Sequence, residues 1–154
     1  MTDQDALFHA VFPLSDLTAT GRLGARIAGH LRPGDLVALS GELGAGKTTL
    51  ARAILTSLGI AEAVPSPTFT LVQNYETASL TISHYDLYRV KSAREMDELG
   101  LEEALEQGAA LVEWPERAGA RLPVDRLTVE LSAHRDGRRA ALSGPRRWRG
   151  LLDG

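Results

Sequence analysis

Residues Gly41-Glu42-Leu43-Gly44-Ala45-Gly46-Lys47-Thr48 carry the pattern G-x-x-x-x-G-K-[ST], and few short stretches restrict a fold so strongly. Backbone N–H groups from about Leu43 to Thr48 must curl around a phosphate, and Gly41, Gly44 and Gly46 admit that close approach. A helix starting at the end of the loop points its positive end at the anion. The flanks comply with both demands. "LVALS" at Leu36–Ser40 is an apolar run suited to a buried strand, and Thr48–Leu58 has the spacing of an amphipathic helix. In this reading the loop, with Leu43 and Ala45 in it, cradles phosphate and Lys47 reaches the β- and γ-phosphates. Thr48 offers its hydroxyl to Mg²⁺, and Thr49 holds the α-phosphate. Lysine occurs only at Lys47 and Lys91 among 17 basic side chains, so nearly every other cation is arginine. A lysine at the one loop position that needs a compact ammonium charge argues against a chance match.

The remaining composition excludes more than it specifies. A chain of 154 residues, 44% hydrophobic and 24% charged, has the size and core of one soluble domain, taken as residues 1–154. No apolar run is long enough to span a membrane, and Met1-Thr2-Asp3-Gln4-Asp5 lacks the basic start of a secretory signal. Cysteine is absent, which removes disulfides, thiolate metal sites and cysteine nucleophiles together. The cytoplasm is the expected location. A net charge of −3 argues against a surface coated for nucleic acid. Positive charge nevertheless gathers in Arg138, Arg139, Arg146, Arg147 and Arg149. With Trp148, "PRRWRG" could meet RNA phosphate and stack on a base. The simpler expectation is a solvated, flexible tail over about residues 144–154.

Strand and helix patterns alternate along the chain. Ala6–Leu14 reads as a strand, and Leu17, Leu23, Ile27 and Leu31 then fall at helical spacing, with Ser15 as N-cap and Gly21 and Gly24 as weak points. "RPGD" marks a turn before "LVALS". "FTLVQNY" and "SLTISHYDLY" read as strands joined by a polar turn. Ser92–Gln107 is helical and acidic, interrupted at Gly100; "AALVE", "RLTVELS" and "RRAALS" follow as strands. The expected fold is α/β of the P-loop NTPase type, a mainly parallel sheet flanked by helices with an antiparallel portion.

A phosphate loop also needs acids for its metal. Asp86 and Glu113 both end strands, and Glu113 follows the better apolar run, since "LTISHY" looks too polar for full burial. Glu113 is expected at the metal or on the attacking water, and Asp86 in the metal shell or on Thr48, with the division of labour open. Pro65 and Pro67 stiffen "VPSPTFTLV", which presents Thr68 at the chain position of a γ-phosphate-sensing switch loop or, more plainly, as a local cap. Trp114 lies where open α/β sheets bind ligands, or packs in the core. His84, beside Tyr85, reads as structural. No N-K-x-D occurs, so ATP is favoured over GTP, and no L-S-G-G-Q or arginine-rich lid points to a transporter or a nucleotide kinase.

Taken in order, "GELGAGKTTL", "SPTFTLV", "HYDLYR", "EMDELGLEE" and "VEWPERAG" resemble one family, the bacterial TsaE (YjeE) ATPases of tRNA threonylcarbamoyladenosine biosynthesis. The resemblance covers about Leu39–Gly119 by motif, and the flanking helix and strands also fit. It implies a weak Mg²⁺-dependent ATPase partnered by TsaB and TsaD, which modify the adenosine beside the anticodon, so that tRNA is met through the complex. It also implies phosphate and Mg²⁺ roles for Lys47 and Thr48, and a switch-like role for Thr68. Asp86 would take the Walker-B-like position and Glu113 that of a metal-associated catalytic acid, with Trp114 as its functional neighbour. Arg138 could approach the nucleotide from the last strand. Two other readings share the motif: a small-molecule kinase, and a nucleotide-gated binding protein without hydrolysis, which would need neither Asp86 nor Glu113 near the γ-phosphate.

Overall fold

The computed structural model describes residues 7–60, 71–134 and 137–153. Its strands form one sheet in the order β1 (Leu7–Leu14), β7 (Gly137–Pro145), β6 (Leu127–His134), β2 (Leu36–Gly41), β5 (Gly108–Glu113), β4 (Thr81–Asp86) and β3 (Val72–Glu76). The centre is β2, β4, β5 and β6, with β2 parallel to β5 and β6, and β4 parallel to β5. The edges are antiparallel: β1 pairs with β7, which pairs with β6, and β3 pairs with β4. The expected mixed α/β architecture is present, with antiparallel pairing at both edges.

Helices α1 (Leu17–His30) and α2 (Lys47–Ser57) cover one face, over a core containing Ile27, Val37, Leu39, Ile54, Leu111 and Val129. The short α3 (Ala93–Asp97) and α4 (Leu101–Gln107) cover the other, over Leu36, Ala38, Tyr85, Met96 and Val112. β2, β4 and β5 are buried on both faces, as parallel strands between helix layers must be, which explains the unbroken apolar runs of β2 and β5.

Several local expectations change. The cap of α1 is Asp16, not Ser15: its backbone is extended and its Oδ1 accepts from the Ala19 N–H at 2.8 Å. Leu17 therefore stands at the helix start and is exposed, off the core stripe. Gly24 is no weak point. A Cβ there would lie 2.6 Å from that of Ala53, so its absence lets α1 and α2 pack closely. Gly100 does divide the acidic helical segment, at φ 67°.

The C-terminal segment corrects the expectation of a free tail. Arg146–Asp153 forms a 3₁₀ helix whose Trp148 and Leu151 are fully buried in the α1 face core. Arg26 donates to the Leu151 carbonyl at 2.6 Å, and Arg147 pairs with Asp35 while lying over the Trp148 ring. Burying an indole outweighs solvating the arginines around it. Trp148 is thus unavailable as a base-stacking platform. Trp148→Ala is expected to lower unfolding free energy by about 3–5 kcal/mol, measured by denaturant titration.

Candidate functional site

The loop between β2 and α2 takes its shape from glycine. Gly41 has φ 140°, and a Cβ there would come within 2.5 Å of the Leu131 carbonyl, so no other residue fits. Gly46 caps α2 in the left-handed region and provides no side-chain acceptor for the first-turn N–H groups. Those donors are left for an anion. Leu43 is exposed and Ala45 buried, so both serve the loop through their backbones.

Register brings the acids to this loop. Asp86 and Glu113 are direct partners in the parallel β4–β5 pair, and Leu39 of β2 is the partner of Glu113 on its other side. Both carboxylates therefore stand at the carboxyl ends of adjacent strands beside the loop that leaves β2, where open α/β sheets place their ligands. The expectation that β4 is too polar for burial fails: Ile82 to Asp86 are all buried. Its polar side chains are matched instead, Ser83 Oγ donating to Asn74 Oδ1 at 2.8 Å and His84 meeting Glu113.

Glu113, 2% exposed, has a partner on each oxygen. The Thr48 hydroxyl donates to Oε1 at 2.8 Å, and His84 Nε2 lies 2.7 Å from Oε2. Of the two acids, then, it is Glu113 that holds Thr48. Asp86 accepts the Tyr88 N–H at 3.0 Å and faces the same cavity. That cavity, about 370 Å³, is also lined by Leu43, Gly44, Gly46, Lys47, Thr48, Thr49, Arg89, Trp114 and Arg138. Lys47 Nζ donates to the Gly41 and Glu42 carbonyls at 2.6 and 2.8 Å and sits 4.1 Å from the Trp114 ring centroid. Trp114 reaches that place through a left-handed backbone, φ 59°, and its ring also meets Tyr88. Arg138 extends from β7 to the Gly44 carbonyl at 3.2 Å and lies against Gly46. Thr68 falls outside the described residues.

The sequence did not mark His84 as part of this cluster, because its partner is far away in the chain and adjacent only through the β4–β5 register. Its one available signal was the H-x-D spacing, which puts His84 and Asp86 on the same face of a strand.

A hard cation suits the donor set. Among the described residues no three acids or histidines converge as a preformed cage. Mg²⁺ needs only one or two protein oxygens besides phosphate and water, and Thr48 and Asp86 offer them at the cavity wall.

Comparison with known proteins gives this geometry a lineage. The family model "Threonylcarbamoyl adenosine biosynthesis protein TsaE" matches residues 14–141. The chain belongs to the TsaE family. It is 47% identical over 104 residues to the tRNA threonylcarbamoyladenosine biosynthesis protein TsaE of Rickettsia felis, a match covering 67% of this chain and 61% of that protein. It is 42% identical to the Rickettsia bellii TsaE, covering 78% of this chain and 84% of that one. The Bacillus subtilis TsaE is 40% identical, with 73% and 70% covered. The crystal structure of YdiB from the same species superposes with a TM-score of 0.75 at 29% identity, covering 96% of this chain and 92% of that one. The TsaE match includes every candidate site residue. The P-loop NTPase fold is thereby established for this chain.

Burial pushes the Lys47 ammonium below its ordinary value of 10.5, against the opposing pull of Glu113, Glu116 and Asp86. A lowered lysine pKa means that the ammonium charge beside this loop is lost earlier as pH rises. Affinity for a fluorescent ADP analogue is therefore expected to fall at a pH below 10.5. Lys47→Arg, permanently charged, should bind more weakly at neutral pH but show a flatter alkaline profile.

Proposed function

We propose that this TsaE-family chain is a Mg²⁺-dependent ATPase of the cytoplasm that supports threonylcarbamoyladenosine formation in tRNA through a TsaB–TsaD complex. The observation that carries the reading is the convergence of Lys47, Thr48, Asp86 and Glu113 on one glycine-shaped loop, since a plain nucleotide holder has no need of two buried acids there. The named relatives support the pathway, each being a tRNA threonylcarbamoyladenosine biosynthesis protein.

In this proposal the α2 N–H groups and Lys47 take the β- and γ-phosphates, and Thr49 the α-phosphate. Lys47 leaves its carbonyl and Trp114 contacts to do so. Bound Mg²⁺ supplies charge neutralisation of the phosphate oxygens. Thr48 and Asp86 hold it, while Glu113 keeps the Thr48 hydroxyl oriented and serves as the acid nearest the attacking water. Arg138 adds a positive charge from within the same chain beside Gly44 and Gly46. Thr68 acts as the switch-like sensor of the γ-phosphate. Positioning and electrostatics account for the catalysis, as in phosphoryl transfer generally. The remaining fold is small, so the threonylcarbamoyl transfer belongs to the partners and tRNA is met through them.

ATP turnover measured with and without TsaB and TsaD tests this. Lys47→Ala and Glu113→Ala should each reduce kcat by roughly 10²-fold or more. Full activity in both variants would remove the site assignment. Release of inorganic phosphate separates an ATPase from a kinase, which would hand the phosphoryl group to an acceptor.

A further inference from the structure

His84 lies in the interior of β4, 0% exposed, where an apolar side chain would pack without leaving a polar atom unpaired. It pairs in register with Leu111 of β5, and Glu113 is two positions further along the same face of that strand. The ring spans this offset, bringing Nε2 to 2.7 Å from Glu113 Oε2. Its other nitrogen, Nδ1, is buried and has no hydrogen-bond partner among the described residues. Glu113 Oε1 accepts the Thr48 hydroxyl, and a carboxylate has only acceptors to offer, so Oε2 meets His84 in a hydrogen bond when Nε2 carries a proton. A proton on Nε2 makes that bond and leaves only a lone pair in the core, whereas a proton on Nδ1 would bury an unpaired N–H and lose the bond.

We propose that His84 is a positioning residue that, as its Nε2–H tautomer, clamps the Glu113 carboxylate and through it sets the Thr48 hydroxyl for Mg²⁺–nucleotide. The clamp works from both sides. Thr48 approaches from the first turn of α2 and His84 from β4, so neither carboxylate oxygen is free to rotate toward the other partner. With its hydrogen committed to Glu113, Thr48 directs its lone pairs at the cavity. Outer partners of this kind orient the groups that touch a metal. An isolated stabilising histidine would have no reason to leave Nδ1 bare in exchange for a bond to this acid. The inference rests on the nucleotide-site reading and extends it to a residue that touches neither nucleotide nor metal.

The test uses the full chain. Histidine ¹⁵N chemical shifts should show His84 as the Nε2–H tautomer; the Nδ1–H tautomer would overturn the proposal. His84→Gln can present an amide N–H near the Nε2 position, while the shorter Asn and the apolar Leu cannot. The gain in ADP affinity that Mg²⁺ confers should survive in His84→Gln and fall by about 10–100-fold in His84→Asn and His84→Leu. ADP affinity without Mg²⁺ should change little. For ATP turnover, kcat should follow the same order with KM less affected. In a Glu113→Gln background, His84→Leu should cause little further loss of the Mg²⁺-dependent gain, because the two act as a unit. Equal rescue by Asn and Gln, or independent losses from the two sites, would reduce His84 to a packing residue. If His84→Leu fails to fold, the tautomer and the Gln–Asn contrast still decide the question. The tautomer and Mg²⁺-dependent affinity require no turnover, so an inactive wild type would count against the ATPase reading while these two readouts judged the clamp.

Discussion

A carboxylate at 2% exposure on a central strand costs heavily unless its oxygens are met, and the site depends on how Glu113 meets that demand. One oxygen takes the hydroxyl of Thr48 and the other faces His84. The first bond ties the start of α2 to the end of β5; the second ties β5 to β4. Backbone pairing reinforces both, with Trp114 N–H bonded to the Leu39 carbonyl at 3.3 Å at the point where β2 enters the glycine loop. The loop is thus held at its strand end by the sheet and at its helix end by a side chain from the neighbouring strand. A phosphate cradle of loose backbone could not keep its N–H groups convergent; this one is anchored on both sides.

The same corner collects features that a fold optimised only for stability would avoid. Lys47, His84, Asp86 and Glu113 are four of the six buried polar or charged side chains among the described residues, and all stand at or near the carboxyl ends of β2, β4 and β5. Trp114 adds a left-handed backbone without being glycine. Local preference and global fold conflict at this corner, as they tend to at functional sites. Ordinary rules govern the apolar runs of β2 and β5, the Asp-capped α1 and the tightly packed contact at Gly24.

What could be read in advance depended on the range of the interaction. The phosphate loop, its flanking strand and helix, and the break at Gly100 are local, so composition and spacing reveal them. Local pattern and structure diverge where distant residues supply the compensation. The polarity of "LTISHY" argues against burial because Asn74 and Glu113, which meet Ser83 Oγ and His84 Nε2, are not its chain neighbours. The arginines of "PRRWRG" suggested a solvated tail because Asp35 and the α1 face, which receive Arg147 and Trp148, lie more than a hundred positions earlier. Gly24 looked like a helix defect because Ala53, which needs the space, is on another helix.

By itself, the sequence determined the α/β class, the phosphate-binding loop and the identity of the two strand-end acids. Each is written in residues close together, governed by backbone sterics and hydrophobic periodicity. Only the tertiary structure decided that Glu113 rather than Asp86 grips Thr48, that Arg138 returns to the loop from the last strand, and that His84 belongs to the site. Those outcomes rest on strand order and register, which place residues far apart in the chain within hydrogen-bonding distance and which no local pattern encodes.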